Sequence, residues 1–161
     1  MKKTLAALAL LATVGPAAAQ TGCPPPVVNV LRNNQVVPLT GAAFAPKVAL
    51  RVTASPACGA KAAYRFRKAE VTLMRGKRPV FPTKLVRRPE VDLTDLMASA
   101  QAGDHIYFFN HYKDLATGAA DGTLTLYPEP NMSRDQQKGI GPNMLTDDAK
   151  GIGFNWLLVQ K

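Results

Sequence analysis

Apolar and polar positions alternate in short runs along most of the chain. Residues 47–53 are the clearest case. Val48, Leu50 and Val52 point one way, and Ala49, Arg51 and Thr53 the other. A period of two belongs to a half-buried strand. Residues 27–31 form another apolar run. Asn33-Asn34 can turn the chain, and residues 35–38 return as a hairpin. Residues 63–75 predict the longest strand, and its phase changes. Tyr64 and Phe66 are apolar at even positions, and Ala69, Val71 and Leu73 at odd ones. One extra residue near Arg67-Lys68 keeps both sets facing inward, which predicts a β-bulge there. Further strands are expected over 79–81 and 84–87, with Pro82 favouring an edge. Others are expected over 105–112, 123–127 and 154–160, the last carrying the only tryptophan, Trp156.

One segment has the helical period. Leu93, Leu96, Met97 and Ala100 fall at i, i+3, i+4 and i+7, predicting a helix over 92–102. Asp92 can cap it, Asp95 suits its first turn, and Gly103 ends it. A helix of about ten residues does not hold alone in water, so it needs a sheet to pack on. Residues 128–153 show little periodicity, and a loop that long is unusual in a compact domain. It reads as a binding loop or an insertion. Short strands, intervening turns and one short helix read as an antiparallel β-sandwich.

The chain start follows different rules. Met1-Lys2-Lys3 is positive, residues 5–14 are almost unbroken apolar, and Gly15-Pro16 interrupts them. Ala17-Ala18-Ala19 then gives a small-x-small cleavage pattern. This predicts a signal peptide cut after Ala19, of bacterial type, and export to the periplasm or cell surface. A membrane anchor needs about 20 apolar residues, twice this run. No transmembrane anchor is expected once the signal is removed. Gln20-Thr21-Gly22 before Cys23 does not match a lipoprotein lead. The expected plan is a signal over 1–19, an N-terminal arm able to form a hairpin over 20–46, and a sandwich domain over 47–161. A chain of 161 residues suits one such domain.

Charge divides the remainder. Without residues 1–19 there are 18 cationic and 11 acidic side chains, net +7. Residues 61–88 hold ten of those cations and one acid, Glu70, whereas residues 89–161 hold five bases and ten acids. One reading is a surface that attracts polyanions. The other is solvated strand faces that pair with the acidic C-terminal half. Export makes nucleic acid an unexpected ligand. Alternate strand residues can line one face, so Arg65, Arg67, Arg87 and Arg88 are the candidate binding residues.

Catalytic chemistry finds little footing. His105 and His111 lie near Asp104 and Asp114, but six residues of strand span about 20 Å. Zinc ligands sit about 2 Å from the ion, so no metal or cofactor is expected. Ser55, Ser99 and Ser133 lie in no Gly-x-Ser-x-Gly elbow. Asp92 and Asp95 are ordinary acids for a helix start, and Asp147-Asp148 lies in the long loop. Tyr107, Phe109, Tyr112 and Trp156 are read as core before they are read as an aromatic binding surface.

A family likeness sits on residues 64–125. It runs from Tyr64-Arg65-Phe66 through Val71-Thr72-Leu73 to the short helix over 93–100. It continues through Gly103-Asp104, Ile106-Tyr107-Phe108, and Asp121-Gly122 before Leu124. These pieces resemble the C-terminal domains of the gliding-motility and type IX secretion protein GldM. The resemblance implies an immunoglobulin-like sandwich that makes protein contacts in the bacterial envelope, not an enzyme. The chain departs from the family in having no transmembrane helix, a single short unit, and an interruption at 128–153. The expectation is therefore an exported, non-enzymatic β-sandwich that binds an envelope protein, with gliding motility or type IX secretion as the implied setting. The alternative is a polyanion- or acidic-glycan-binding module using residues 61–88. An unrecognised hydrolase would need His105 or His111 in a pocket beside Asp104, Asp114 or Asp147.

Cys23 and Cys58 complete the inventory. In an exported chain they are expected to form a disulfide that fastens the arm to the turn before the long strand. Closing 35 residues is worth about 4 kcal/mol in the chain-entropy model. An alkylating reagent is then expected to label the mature protein only after reduction, as read by mass. Labelling without reductant would show that the bond is absent.

Overall fold

The computed structural model describes residues 24–57, 63–119, 121–128 and 150–160. The expected signal peptide over 1–19, both cysteines with their expected disulfide, and residues 129–149 of the expected long loop lie outside the described residues. In chain order the strands are β1 (Val27–Arg32), β2 (Gln35–Val36), β3 (Lys47–Thr53), β4 (Ala63–Phe66), β5 (Ala69–Arg75) and β6 (Arg78–Pro79). They continue with β7 (Lys84–Val86), β8 (Glu90–Asp92), β9 (His105–His111), β10 (Leu115–Gly118), β11 (Leu124–Leu126) and β12 (Gly151–Leu157).

The strands form two antiparallel sheets. The first runs β11-β10-β4-β3-β1-β2, with β8 also on β3. The second runs β12-β9-β5-β6, with β7 also on β5. Val28, Val30, Leu50 and Leu115 of the first sheet share one core with Val71, Leu73, Phe108 and Trp156 of the second. The domain is mainly β, as the alternation requires. Among the described residues, no helix is long and apolar enough to cross a membrane.

The arm residues are part of this body. β1 pairs with β3 from Val27↔Thr53 to Leu31↔Ala49. Asn33 and Asn34 hold φ of 51° and 63°, the left-handed pair that a two-residue hairpin needs. Farther on, Ala42 and Leu158 form a parallel bridge, and the Trp156 indole N–H donates to the Ala42 carbonyl at 3.0 Å. The arm thereby locks the last strand.

Three expectations need correction. Residues 63–75 are not one bulged strand. β4 lies in the first sheet and β5 in the second, so the phase change at Arg67-Lys68 marks a crossing between sheets. Both apolar sets face the same core from opposite sides. The helix over 92–102 shrinks to one 3₁₀ turn, Thr94–Leu96. The Asp92 carboxylate accepts hydrogen bonds from the Thr94 amide and hydroxyl, at 2.9 and 2.6 Å, which favours a tight turn. Leu93 and Leu96 are fully buried, but Met97 is half exposed, so the inward stripe ends after one turn.

Gly151 and Gly153, expected in a loop, open β12 instead. They lie opposite His111 and Phe109. A Cβ at Gly151 would collide with the Asn110 carbonyl oxygen, and one at Gly153 would approach the Tyr107 hydroxyl to 2.6 Å. Tyr107 and Phe109 stack at 6.0 Å along this outer face, while Trp156 and Tyr112 are core. Backbone cannot yield as a tyrosine ring can. Gly151→Ala is therefore expected to lose about 2–3 kcal/mol of stability in urea unfolding, and Gly153→Ala about 1 kcal/mol. Equal losses would refute this packing.

A candidate basic ring between the sheets

The edge of β3 is shared by two strands. β8 pairs with its first half, from Lys47↔Asp92 to Ala49↔Glu90, and the Leu50 amide donates to the Pro89 carbonyl at 2.7 Å. β4 holds the far end through Thr53↔Ala63. Arg51 lies between the two attachments. Both partners then leave for the second sheet. β4 crosses at Arg67-Lys68 into β5, and β8 is reached from β7 through Arg87-Arg88-Pro89. β5 and β7 are themselves paired at Ala69↔Val86. The chain thus closes a circuit through residues 50–53, 63–69 and 86–89.

Six cations stand on this circuit: Arg51, Arg65, Arg67, Lys68, Arg87 and Arg88. Its residues include no acid; Glu70 and Glu90 lie just outside. All four arginines proposed from sequence are on it. Arg51 and Lys68 were missed. Arg51 is distant in the chain, and its only sequence signal is its place on the polar side of β3.

The environment sorts the cations. The Arg67 guanidinium donates to the Lys113 carbonyl at 2.9 Å and lies 3.5 Å from the Asp114 carboxylate. The Lys68 ammonium is 3.6 Å from the other oxygen of Asp114, which is buried. Arg51, Arg65, Arg87 and Arg88 are exposed and have no ion-pair or hydrogen-bond partner among the described residues. Elsewhere in the basic segment Arg75 and Lys84 are paired, whereas Lys77 and Arg78 at the β5–β6 turn are exposed and hold no ion pair among the described residues. Arg75 binds Asp104 through two nitrogens at 2.8 and 3.0 Å, and Lys84 binds Asp95 at 2.9 Å. Pairing with the acidic half therefore describes Arg75 and Lys84 well and most of the ring poorly. Guanidinium groups offer a planar fork of donors that matches carboxylate, phosphate and sulfate.

The other candidates stand apart. His105 and His111 occupy opposite ends of β9. His105 Nδ1 meets the Asn155 side-chain oxygen at 3.1 Å, and His111 Nε2 meets Glu70 at 3.2 Å. Among the described residues, no three His, Cys, Asp or Glu side chains cluster as metal ligands would. Asp92 and Asp95 are engaged by Thr94 and Lys84. A shallow groove of about 430 Å³ on the outer face of β1, β3 and β8 carries Lys47, Glu90 and Asp92, a mixture of signs.

The Arg75–Asp104 pair has a pH signature. The Arg75 hydrogen bonds, helped by the Gln101 amide, hold the buried Asp104 carboxyl below the usual carboxylate range. The pair therefore stabilises the fold above the unfolded value of about 3.9. That contribution is lost as pH falls through the lower folded value. Asp104→Asn is expected to lower the melting temperature at pH 7 and to flatten its decline below pH about 4. An unchanged acid slope would refute the assignment. No protein-family model, curated protein or solved structure matches the chain.

Proposed function

We propose that this is an exported, non-enzymatic, immunoglobulin-like β-sandwich that binds another protein of the bacterial envelope through the basic ring. The observation that carries the reading is the closed circuit of six cations, of which Arg67 and Lys68 share Asp114 and the other four hold no ion pair among the described residues. Such a cluster attracts an acidic surface over about one Debye length, near 8 Å at physiological salt. Its forks then fix carboxylates in register. The immunoglobulin-like reading draws support from two antiparallel sheets sharing one core and from strands that change sheet. Residues 1–19 support export to the periplasm or surface. The likeness over residues 64–125 supports a setting in gliding motility or type IX secretion.

The ring also favours a second reading. A circuit with four cations outside any ion pair among the described residues suits any multivalent anion, including an acidic glycan. Arg65→Glu/Arg87→Glu/Arg88→Glu separates the two, because these side chains hold no hydrogen bond or ion pair among the described residues. Arg67 is left intact because its donors brace the crossing. Chemical crosslinking in the native envelope is expected to give a discrete protein adduct with the wild type. The triple variant should lose it while keeping its circular dichroism. An adduct that survives the reversals overturns the protein-binding role of the ring. Retention on a heparin-type column that weakens steeply with salt, with no protein adduct, would establish the glycan reading instead.

A further inference from the structure

Arg51 stands where the edge of β3 passes from one partner to the other. The β8 register runs Lys47↔Asp92, Val48↔Val91 and Ala49↔Glu90, and the Leu50 amide on the Pro89 carbonyl carries it one step further. The next step sets Arg88 against Arg51. From the other end, Thr53↔Ala63 is the pair that holds β4. Two steps along that count set Arg65 against Arg51. Both counts therefore meet on one residue. No ladder pair forms there on this side among the described residues, since β4 and the chain before β8 both turn off to the second sheet.

The three side chains belong to one outer face. Arg51 lies on the side of β3 opposite core Leu50 and Val52. Arg65 lies on the side of β4 opposite Tyr64 and Phe66, which pack on the core. Val91 is core, so Arg88 falls on the outward count with Glu90. All three arginines are exposed and hold no ion pair or hydrogen bond among the described residues. Their neighbours leave that charge standing. Arg51 meets neutral Asn29 on β1, and Arg65 meets Ala116 on β10. Glu90, the nearest acid along β8, lies opposite Ala49 and pairs with none of the three. Like charges set against one another across strands destabilise a sheet.

We infer that Arg51, Arg65 and Arg88 together clamp one phosphate monoester carried by the partner of the ring. The inference deepens the binding role proposed above and rests on it. Its chemistry comes from counting donors and charge. Each guanidinium offers a planar fork of two parallel N–H groups. A carboxylate has two oxygens and one charge, enough for a single fork. A phosphate monoester has three free oxygens and a charge of about −1.5 to −2 at pH 7. Three oxygens make three edges, one for each fork. The ester oxygen can point to solvent because the opening is on the surface. A phosphodiester has only two free oxygens and one charge.

The probes are inorganic phosphate, phenyl phosphate and dimethyl phosphate, added to the mature protein at constant ionic strength. Binding is read from the arginine Nε–H signals by NMR. Inorganic and phenyl phosphate are expected to bind alike, and dimethyl phosphate about tenfold more weakly. Arg51→Lys and Arg65→Lys keep the charge but lose the fork, and each should weaken phenyl phosphate about tenfold. Lys77→Gln/Arg78→Gln, at the far end of β5, should change binding by less than about twofold. Lysine variants that bind like the wild type overturn the clamp, because charge alone then suffices. So do equal binding of dimethyl phosphate, binding of inorganic but not phenyl phosphate, and no binding of any probe. Binding as expected with no envelope adduct would fail the function proposed above and leave the clamp standing. An adduct lost in the triple variant, without phosphate binding, would overturn the clamp alone.

Discussion

The fold depends on a corner where two paired strands change sheet together. β4 and β10 are partners in the first sheet, and their continuations β5 and β9 are partners in the second. Pairing stops at Phe66↔Leu115 and resumes at Glu70↔Phe109. The backbone between needs other partners, since buried amides and carbonyls are costly when unpaired. The Arg67 amide donates to the Asp114 carbonyl at 2.8 Å, and the Arg67 side chain to the Lys113 carbonyl. The Asn110 side-chain amide donates to the Lys68 carbonyl at 3.3 Å. Each crossing thus satisfies the other.

This arrangement carries a local strain in its polar groups. Asn110 Oδ1 and Asp114 Oδ2 are buried and accept no hydrogen bond. An unsatisfied buried acceptor costs about 1–3 kcal/mol. For Asp114 the two nearby cations offset part of that, at the long distances of 3.5 and 3.6 Å. The corner is held by backbone bonds first and by charge second. Arg67 and Lys68 therefore have a structural duty that Arg65, Arg87 and Arg88 lack.

Much of this was legible in sequence, and the failures have physical causes. Residues 47–53 alternate because β3 has one core face, and both that segment and the apolar run expected over 105–112 form strands, the second ending at His111. The crossing at Arg67-Lys68 was misread because a phase shift looks the same whether a strand bulges or changes sheet. Only the partner strands distinguish them. The 92–102 stripe was genuine for Leu93 and Leu96. Periodicity does not register that the Asp92 carboxylate bonds Thr94 and so favours a turn. β8 and β10 were missed because three- and four-residue strands carry too little pattern. Gly151 and Gly153 resemble loop residues until Phe109 and Tyr107 are placed across from them. The four arginines chosen by charge lie on one circuit, but their meeting with Arg51 depends on a pairing between residues far apart in the chain.

Folding alone does not account for the composition of that circuit. Its outward strand positions require only a polar side chain, and Arg51 and Arg65 fill two of them. Arg87 and Arg88 occupy a crossing whose anchoring bond comes from Pro89. Asp114 serves only Arg67 and Lys68, and like charges gathered beyond it repel, which lowers stability unless an anion relieves it. Where the fold does need a cation it supplies the acid too, as Arg75 with Asp104 and Lys84 with Asp95 demonstrate. Arg75 and Lys84 thus help hold the sandwich together, whereas Arg51, Arg65, Arg87 and Arg88, like Lys77 and Arg78 at the β5–β6 turn, carry no structural ion pair among the described residues.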